Sequence, residues 1–222
     1  MATGLSRRPS GHRRGFTLLE TSMALVIIGV GVLAFVEAQN AFVKNNTWSS
    51  QAATATLLAG EVRELTRRLP RHDPVTGLFV ETTAQGDVLR GWGAESGEVT
   101  PSDFDDIDDL DGLKFGGDGD FDGPIDAKGE LVPSVDADGN PVEDEDGNPV
   151  AMAGWSQTVY VDKLDPFNYA TVREHAFKES ASGDFPGRSV DQYPLRVTVV
   201  VEFQGANDVQ PVELARVTWI VP

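Results

Sequence analysis

The chain contains no cysteine. It therefore has no disulfide framework, no thiol nucleophile and no zinc–thiolate site, and cysteine usage leaves the redox compartment open. Histidine is scarce as well. His12, His72 and His175 share no metal-ligand spacing, and Glu174-His175 lacks the second histidine of a zincin. Neither a G-x-S-x-G elbow nor a G-x-x-x-x-G-K-[ST] phosphate loop occurs. Carboxylates abound, but acid-rich loops bring them together without catalytic purpose. The expectation is a protein that is not an enzyme. Basic residues are few: 18 Lys and Arg stand against 35 Asp and Glu, a net charge of −17. Arg7, Arg8, Arg13 and Arg14 sit within the first fifteen positions, where there is no acid, and the rest of the chain has 14 basic residues against 35 acidic ones, or −21. Such a body repels nucleic acid and anionic headgroups, so no nucleic-acid partner is expected; multivalent cations and basic surfaces suit it better.

Charge is missing altogether from one long run. Sixteen residues from Thr21 to Val36 carry none, and Phe16 to Leu19 extend the apolar stretch on the other side of Glu20. About 20 apolar residues span a bilayer as a helix, so the segment has membrane length only if Glu20 is tolerated. An acid deep in the bilayer costs roughly 2.5–3.5 kcal/mol on insertion scales, and such residues are usually functional.

Gly15-Phe16-Thr17-Leu18-Leu19-Glu20, with a basic leader before it and an apolar run after it, resembles the cleavage and methylation signature of type IV prepilins and type II secretion pseudopilins. The resemblance covers about the first fifty-five residues. It implies that a prepilin peptidase cuts between Gly15 and Phe16 and methylates the new terminal phenylalanine. It also implies that Glu20 meets the terminal amine of a neighbouring pilin subunit during assembly. The physics is consistent, since a carboxylate stranded in hydrocarbon is unfavourable alone and is compensated by a well-placed opposite charge. Phe35-Val36-Glu37-Ala38 lacks the proline kink common in major pilins, and the Gly29/Gly31 pair resembles minor pilins and minor pseudopilins. The implied location is the bacterial inner membrane, crossed once, with a periplasmic C-terminal body that lies outside the cell once a pilus or secretion filament is extruded.

Other readings of these residues stay open. Arg13-Arg14-x-Phe16-x-Leu18 mimics a twin-arginine export signal, and Val36-Glu37-Ala38 passes as a signal-peptidase site. Either would release an exported, calcium-binding adhesion or binding module. A lone signal-anchored membrane protein is a third reading.

Downstream, Leu58, Val62, Leu65 and Leu69 recur at helical spacing, with Ala52, Ala55 and Ala59 near the same stripe, until Pro70. One helix from Phe16 to Leu69 would be about 80 Å long. Its second half should pack on the protein's own sheet. The expected organisation is a leader over 1–15, a long helix over 16–69 with a transmembrane half at 16–36, and a globular domain over 70–222.

Within that domain Gly77–Thr83 and Val88–Trp92 read as a hairpin, Trp155–Leu164 as a longer strand, and Leu195–Gln204 with Val212–Val221 as a terminal hairpin carrying a bulge near Arg216. Val172–Glu179 reads as a short helix and Asp184–Gln192 as a loop. Strands joined by short turns give an antiparallel sheet, so the class is α+β.

Residues 100–150 form an acidic, Gly- and Pro-rich insertion holding 17 of the acids. Asp118, Asp120, Asp122 and Asp126 follow the D-x-D-x-D-G-x-I layout of a calcium loop, with Gly129 where the bidentate glutamate belongs. They are candidate calcium ligands, the alternative being a solvated acidic loop. From Asp103 to Asp111, Phe104, Ile107 and Leu110 punctuate a carboxylate run and suggest a helical turn docked on the body with its acids outward. Asp138-Gly-Asn-Pro-Val142 recurs as Asp146-Gly-Asn-Pro-Val150, which predicts two similar turns.

Overall fold

The three-and-four spacing of small and branched residues between positions 52 and 65 makes one apolar helical face. In the computed structural model, which describes residues 16–222, this face belongs to helix α1, Leu18–Thr66. Seven strands follow: β1 Phe79–Thr83, β2 Gly86–Arg90, β3 Lys114–Phe115, β4 Trp155–Asp165, β5 Asn168–Arg173, β6 Leu195–Phe203 and β7 Val212–Val221, with a 3₁₀ turn at Asp108–Leu110. The chain forms two units, one ending at Trp48 and the other running from Ser49 to Pro222. The fold is α+β, a long helix packed on antiparallel sheet.

The helix stops three residues short of Leu69. Arg68 N–H donates to the Leu65 carbonyl at 3.0 Å, which tightens the last turn, and Pro70 disfavours helical geometry in the residue before it. Ala55, Leu58, Ala59, Val62 and Leu65 are buried against Val159 and Val161 of β4 and Leu195, Val197, Val199 and Val201 of β6. The main sheet has the order β3-β4-β6-β7, with β5 also on β4. β6 is its centre, paired from Leu195↔Lys163 to Phe203↔Trp155 on one side and with β7 on the other. Side chains alternate across it: Tyr160, Asp162, Arg196 and Thr198 face outward, with an Arg196–Asp162 ion pair at 2.8 Å.

The helix expected over Val172–Glu179 is absent, whereas the bulge expected near Arg216 is present. Val172 belongs to β5 rather than a helix, paired with Leu164 while Arg173 opposes Lys163. The end of β4 has an open edge, and β-branched Thr171 and Val172 satisfy it better as a strand. The irregularity in the last hairpin falls at Leu214, since Val201 pairs with Ala215 and Glu202 with Glu213. β1 and β2 form a separate hairpin closed by Ala84-Gln85.

One buried amide joins helix, sheet and insertion. Gln157 of β4 is fully buried; its Nε2 donates to the Leu58 carbonyl at 2.8 Å and the Ile125 carbonyl at 3.1 Å, and its Oε1 accepts from Ile125 N–H at 2.8 Å. Glu61 Oε2 accepts from Ala127 N–H at 2.9 Å one helical turn further on. Beyond this clamp the insertion is a ladder of three like turns. Asp126, Asp136 and Asp144 each accept, on one carboxylate oxygen, the N–H groups two and four residues ahead. The isolated bridges Ile125↔Leu131, Val135↔Pro141 and Glu143↔Pro149 close them. The Asp-Gly-Asn-Pro repeat thus has a third, degenerate member at Asp126-Ala-Lys-Gly-Glu130.

Candidate functional site

Two places concentrate unusual chemistry. The first is the start of α1. Glu20 N–H donates to Thr17 Oγ1 at 3.3 Å, and Thr17 N–H donates to Glu20 Oε2 at 3.4 Å. This is the reciprocal capping box of a Thr-x-x-Glu helix start. Its signal in the sequence is that spacing, which the expectation for Glu20 did not include. Both bonds lie beyond the usual N–H···O range, so the carboxylate is only loosely held. Every residue from Phe16 to Ser50 is exposed, including Leu18, Leu19, Leu25, Ile27 and Phe35. Helix α1 is long and apolar enough to cross a membrane. Gly15, the other side of the expected cut, lies outside the described residues.

The second place is the loop from Trp92 to Asp111. The apolar triplet behaves as expected, with Phe104, Ile107 and Leu110 buried in the core. The acids do not all face outward, however: Asp106, Asp108 and Asp109 are buried too. Backbone demand draws them in. Asp106 Oδ1 accepts from Asp108 N–H (2.8 Å) and Asp109 N–H (3.2 Å), while Asp109 Oδ2 accepts from Asp105 and Asp106 N–H, both at 3.1 Å. Asp108 contacts His72 Nδ1 and accepts Gly93 N–H at 2.8 Å. Asp111 accepts Trp92 Nε1 at 3.1 Å and Val161 N–H at 2.8 Å, and Trp92 stacks on His175 with ring centres 3.8 Å apart.

Among the described residues Asp106 and Asp109 have no such cation. One carboxylate oxygen from each of Glu95, Asp106 and Asp109 lies within 4.8 Å of the others, and Glu98, Asp105 and Asp109 form a second such group. Burial, with repulsion from Asp108 and Asp109, pushes the Asp106 carboxyl up to about 9. Burial raises Glu95 to about 7, helped by the Asp109 charge, and Asp109 to about 6.

Neither group includes the sequence-derived calcium candidates. Asp120 Oδ2 accepts Lys114 N–H at 2.8 Å, and Asp126 is occupied by its own turn. Asp118 adopts a left-handed φ of 59°. Gly129 has a φ of 80°, and a Cβ there would lie 2.5 Å from the Pro101 carbonyl oxygen, so the turn itself requires glycine where a calcium loop would carry glutamate.

No curated protein and no solved structure matches the chain. A family model does match part of it, the prokaryotic N-terminal methylation motif, over residues 11–36. That span contains Phe16, Thr17 and Glu20 and the apolar start of α1, so the chain carries the type IV prepilin-type signature of a pilin- or pseudopilin-like exported subunit.

Proposed function

We propose that the protein is a structural subunit, a minor pilin or pseudopilin, of a type IV pilus or type II secretion filament. A prepilin peptidase would cut between Gly15 and Phe16 and methylate Phe16. The four arginines of the leader favour a cytoplasmic N-terminus, which leaves the body on the periplasmic side of the inner membrane and, once extruded in a filament, outside the cell. The observation that carries this reading is the methylation motif running directly into a fully exposed apolar helix.

Glu20 then has two states. In the lone subunit its carboxylate accepts, among the described residues, one long bond from Thr17 N–H, which compensates little of the roughly 2.5–3.5 kcal/mol cost of an acid in lipid. A neighbour's terminal ammonium is a stronger, charge-assisted donor, so exchange of the internal bond for the external one drives assembly. The role is mechanical, joining or capping a filament, and no catalytic step is assigned to it.

Intact mass of the protein extracted from membranes of cells containing a prepilin peptidase tests the reading. A chain beginning at Phe16 and carrying one added methyl is expected. An uncut chain, or one starting near Gln39, returns the protein to the signal-anchored or exported-module readings. Glu20→Ala is expected to insert normally yet fail to enter filaments.

A further inference from the structure

We propose that Glu95, Asp106 and Asp109, with Glu98 and Asp105 beside them, form a binding site for a calcium ion. The site is separate from the Asp118–Asp126 stretch and independent of the filament reading.

Proximity of acids alone would not carry this, because the chain is acid-rich throughout. What distinguishes the group is unspent binding capacity inside the protein. Asp106 is 0% and Asp109 3% exposed, yet among the described residues Asp106 Oδ2 and Asp109 Oδ1 have no hydrogen-bond partner, nor has either oxygen of Glu95. Buried polar atoms are almost always paired, and a bare buried carboxylate is among the most costly of them. Among the described residues, none of the five acids enters an ion pair. Elsewhere in the body the buried acids have partners: Asp108 meets His72, and Asp73 accepts from Val75 N–H, Thr76 N–H and the Thr76 hydroxyl.

The free oxygens are also held in place. The other oxygen of Asp106 and of Asp109 accepts two backbone N–H groups, which fixes each carboxylate and leaves its second oxygen directed away from those bonds. Among the described residues no Lys, Arg or His nitrogen lies within 4.0 Å of these carboxylates. A hard divalent cation needs only oxygens. Ligands bound at 2.3–2.6 Å from one calcium ion stand at most about 5 Å apart, which matches the 4.8 Å grouping. Five carboxylates with Asp109 common to both groups suit the irregular, high-coordination shell of calcium better than the octahedron of magnesium, which keeps its waters.

Bound there, calcium would cross-link the segment carrying Glu95 and Glu98 to the 3₁₀ turn that places Ile107 and Leu110 in the core. The test uses the full chain in detergent micelles, stripped with EGTA. Adding about 2 mM Ca²⁺ should raise the melting temperature of the body by about 5–10 °C, with a much smaller rise for Mg²⁺, and calorimetric titration should give saturable heat. Glu95→Gln combined with Asp109→Asn should abolish both signals, and Asp120→Ala should leave them intact. Glu98 is only half-buried, so Glu98→Gln should fold and weaken Ca²⁺ affinity about tenfold. The proposal is overturned by a wild-type chain that shows neither shift nor heat, by signals that survive the double substitution, or by signals that vanish in Asp120→Ala alone. If the double variant does not fold, an unchanged affinity in Glu98→Gln overturns it equally.

Discussion

The stretch from Leu18 to Ser50 and the one from Gln51 to Thr66 are parts of one helix, yet they treat apolar surface in opposite ways. In the first, Leu25, Ile27, Ile28, Leu33 and Phe35 are all exposed. In the second, Ala55, Leu58, Ala59, Val62 and Leu65 are buried against β4 and β6. Exposed aliphatic surface of that extent is unfavourable in water, so the first stretch belongs to a surrounding the chain does not itself supply, lipid or a neighbouring helix. The second half carries its partner in the same polypeptide. Polar groups follow the same division. Between Phe16 and Val36 the anchor holds one acid, Glu20, loosely bonded; the body buries Gln157, Lys163 and Asp108 because sheet and loops bring partners to them.

The contrast breaks most visibly with the same substitution in each part. Val62→Asp should prevent the body from folding, since an unpaired buried carboxylate costs about 3–5 kcal/mol. Val26→Asp should leave the body's melting temperature unchanged and instead reduce the membrane-inserted fraction, by an insertion cost of about 2.5–3.5 kcal/mol. Thermal melts and membrane fractionation of both variants read the two effects. A body destabilised by Val26→Asp would mean that the anchor is part of its core. Next in size is Gln157→Leu, which strands Ile125 N–H in the interior and releases the helix from the insertion. It should cost about 2–3 kcal/mol in a denaturant melt and leave membrane insertion untouched.

The legibility of the sequence follows the same division. The long helix, its buried stripe, the two hairpins and the α+β class could be read directly, because each rests on short-range periodicity and turn residues. The helix expected over Val172–Glu179 fails for a physical reason: Val172 and Arg173 close β5 against the open edge of β4, and Glu174–Lys178 follow as turn and irregular chain. The methylation motif was legible as residue types in order. The carboxylate cluster was not. Nothing in the spacing of Glu95 and Asp106 says that a loop closes between them, and the run Asp103–Asp111 reads as a solvated face until backbone N–H groups are seen to pull Asp106 and Asp109 inward. The third turn of the ladder was hidden for the opposite reason. Its Asp126-x-x-Gly129 geometry matches that of Asp136 and Asp144, but Lys128 and Glu130 replace the Asp and Asn that made the other two recognisable.

A smaller effect separates the two parts by pH. Lys163 in β4 is buried, donates from Nζ to the His175 and Phe177 carbonyls at 2.8 Å each, and lies 4.5 Å over the Tyr193 ring. Burial lowers its pKa to about 8, with the Asp191 charge opposing. Between that value and the unfolded value of 10.5 the unfolded chain binds the extra proton, so stability rises with pH through this window, with a limiting slope of about 1.36 kcal/mol per pH unit. Burial raises the Tyr193 hydroxyl to about 12, and its opposing effect begins only as the unfolded tyrosine, at 10.0, starts to ionise. Melts between pH 8 and about 9.5 should therefore slope upward in the wild type and flatten in Lys163→Met. Equal slopes would assign the effect elsewhere.

The least expected effect isolates what a hydrogen-bonded turn contributes without burial. The three turns of the insertion share one bonding pattern but differ in what they cover: Ile125, beside the first, is 2% exposed, whereas Val135, beside the second, is 62% exposed. The first also receives Glu61 of α1, through Ala127 N–H. Asp136→Ala removes two backbone-to-carboxylate bonds at an exposed site and should cost no more than about 0.5–1 kcal/mol. Asp126→Ala removes the same two bonds where the turn backs a core isoleucine and a helix contact, so its cost should be larger by about 1 kcal/mol. If the two cost the same, hydrogen bonding alone holds the ladder; if only Asp126→Ala is felt, the ladder is anchored at its buried end. The second outcome is the one that agrees with the helix, where identical backbone bonding runs through both stretches and only burial tells them apart.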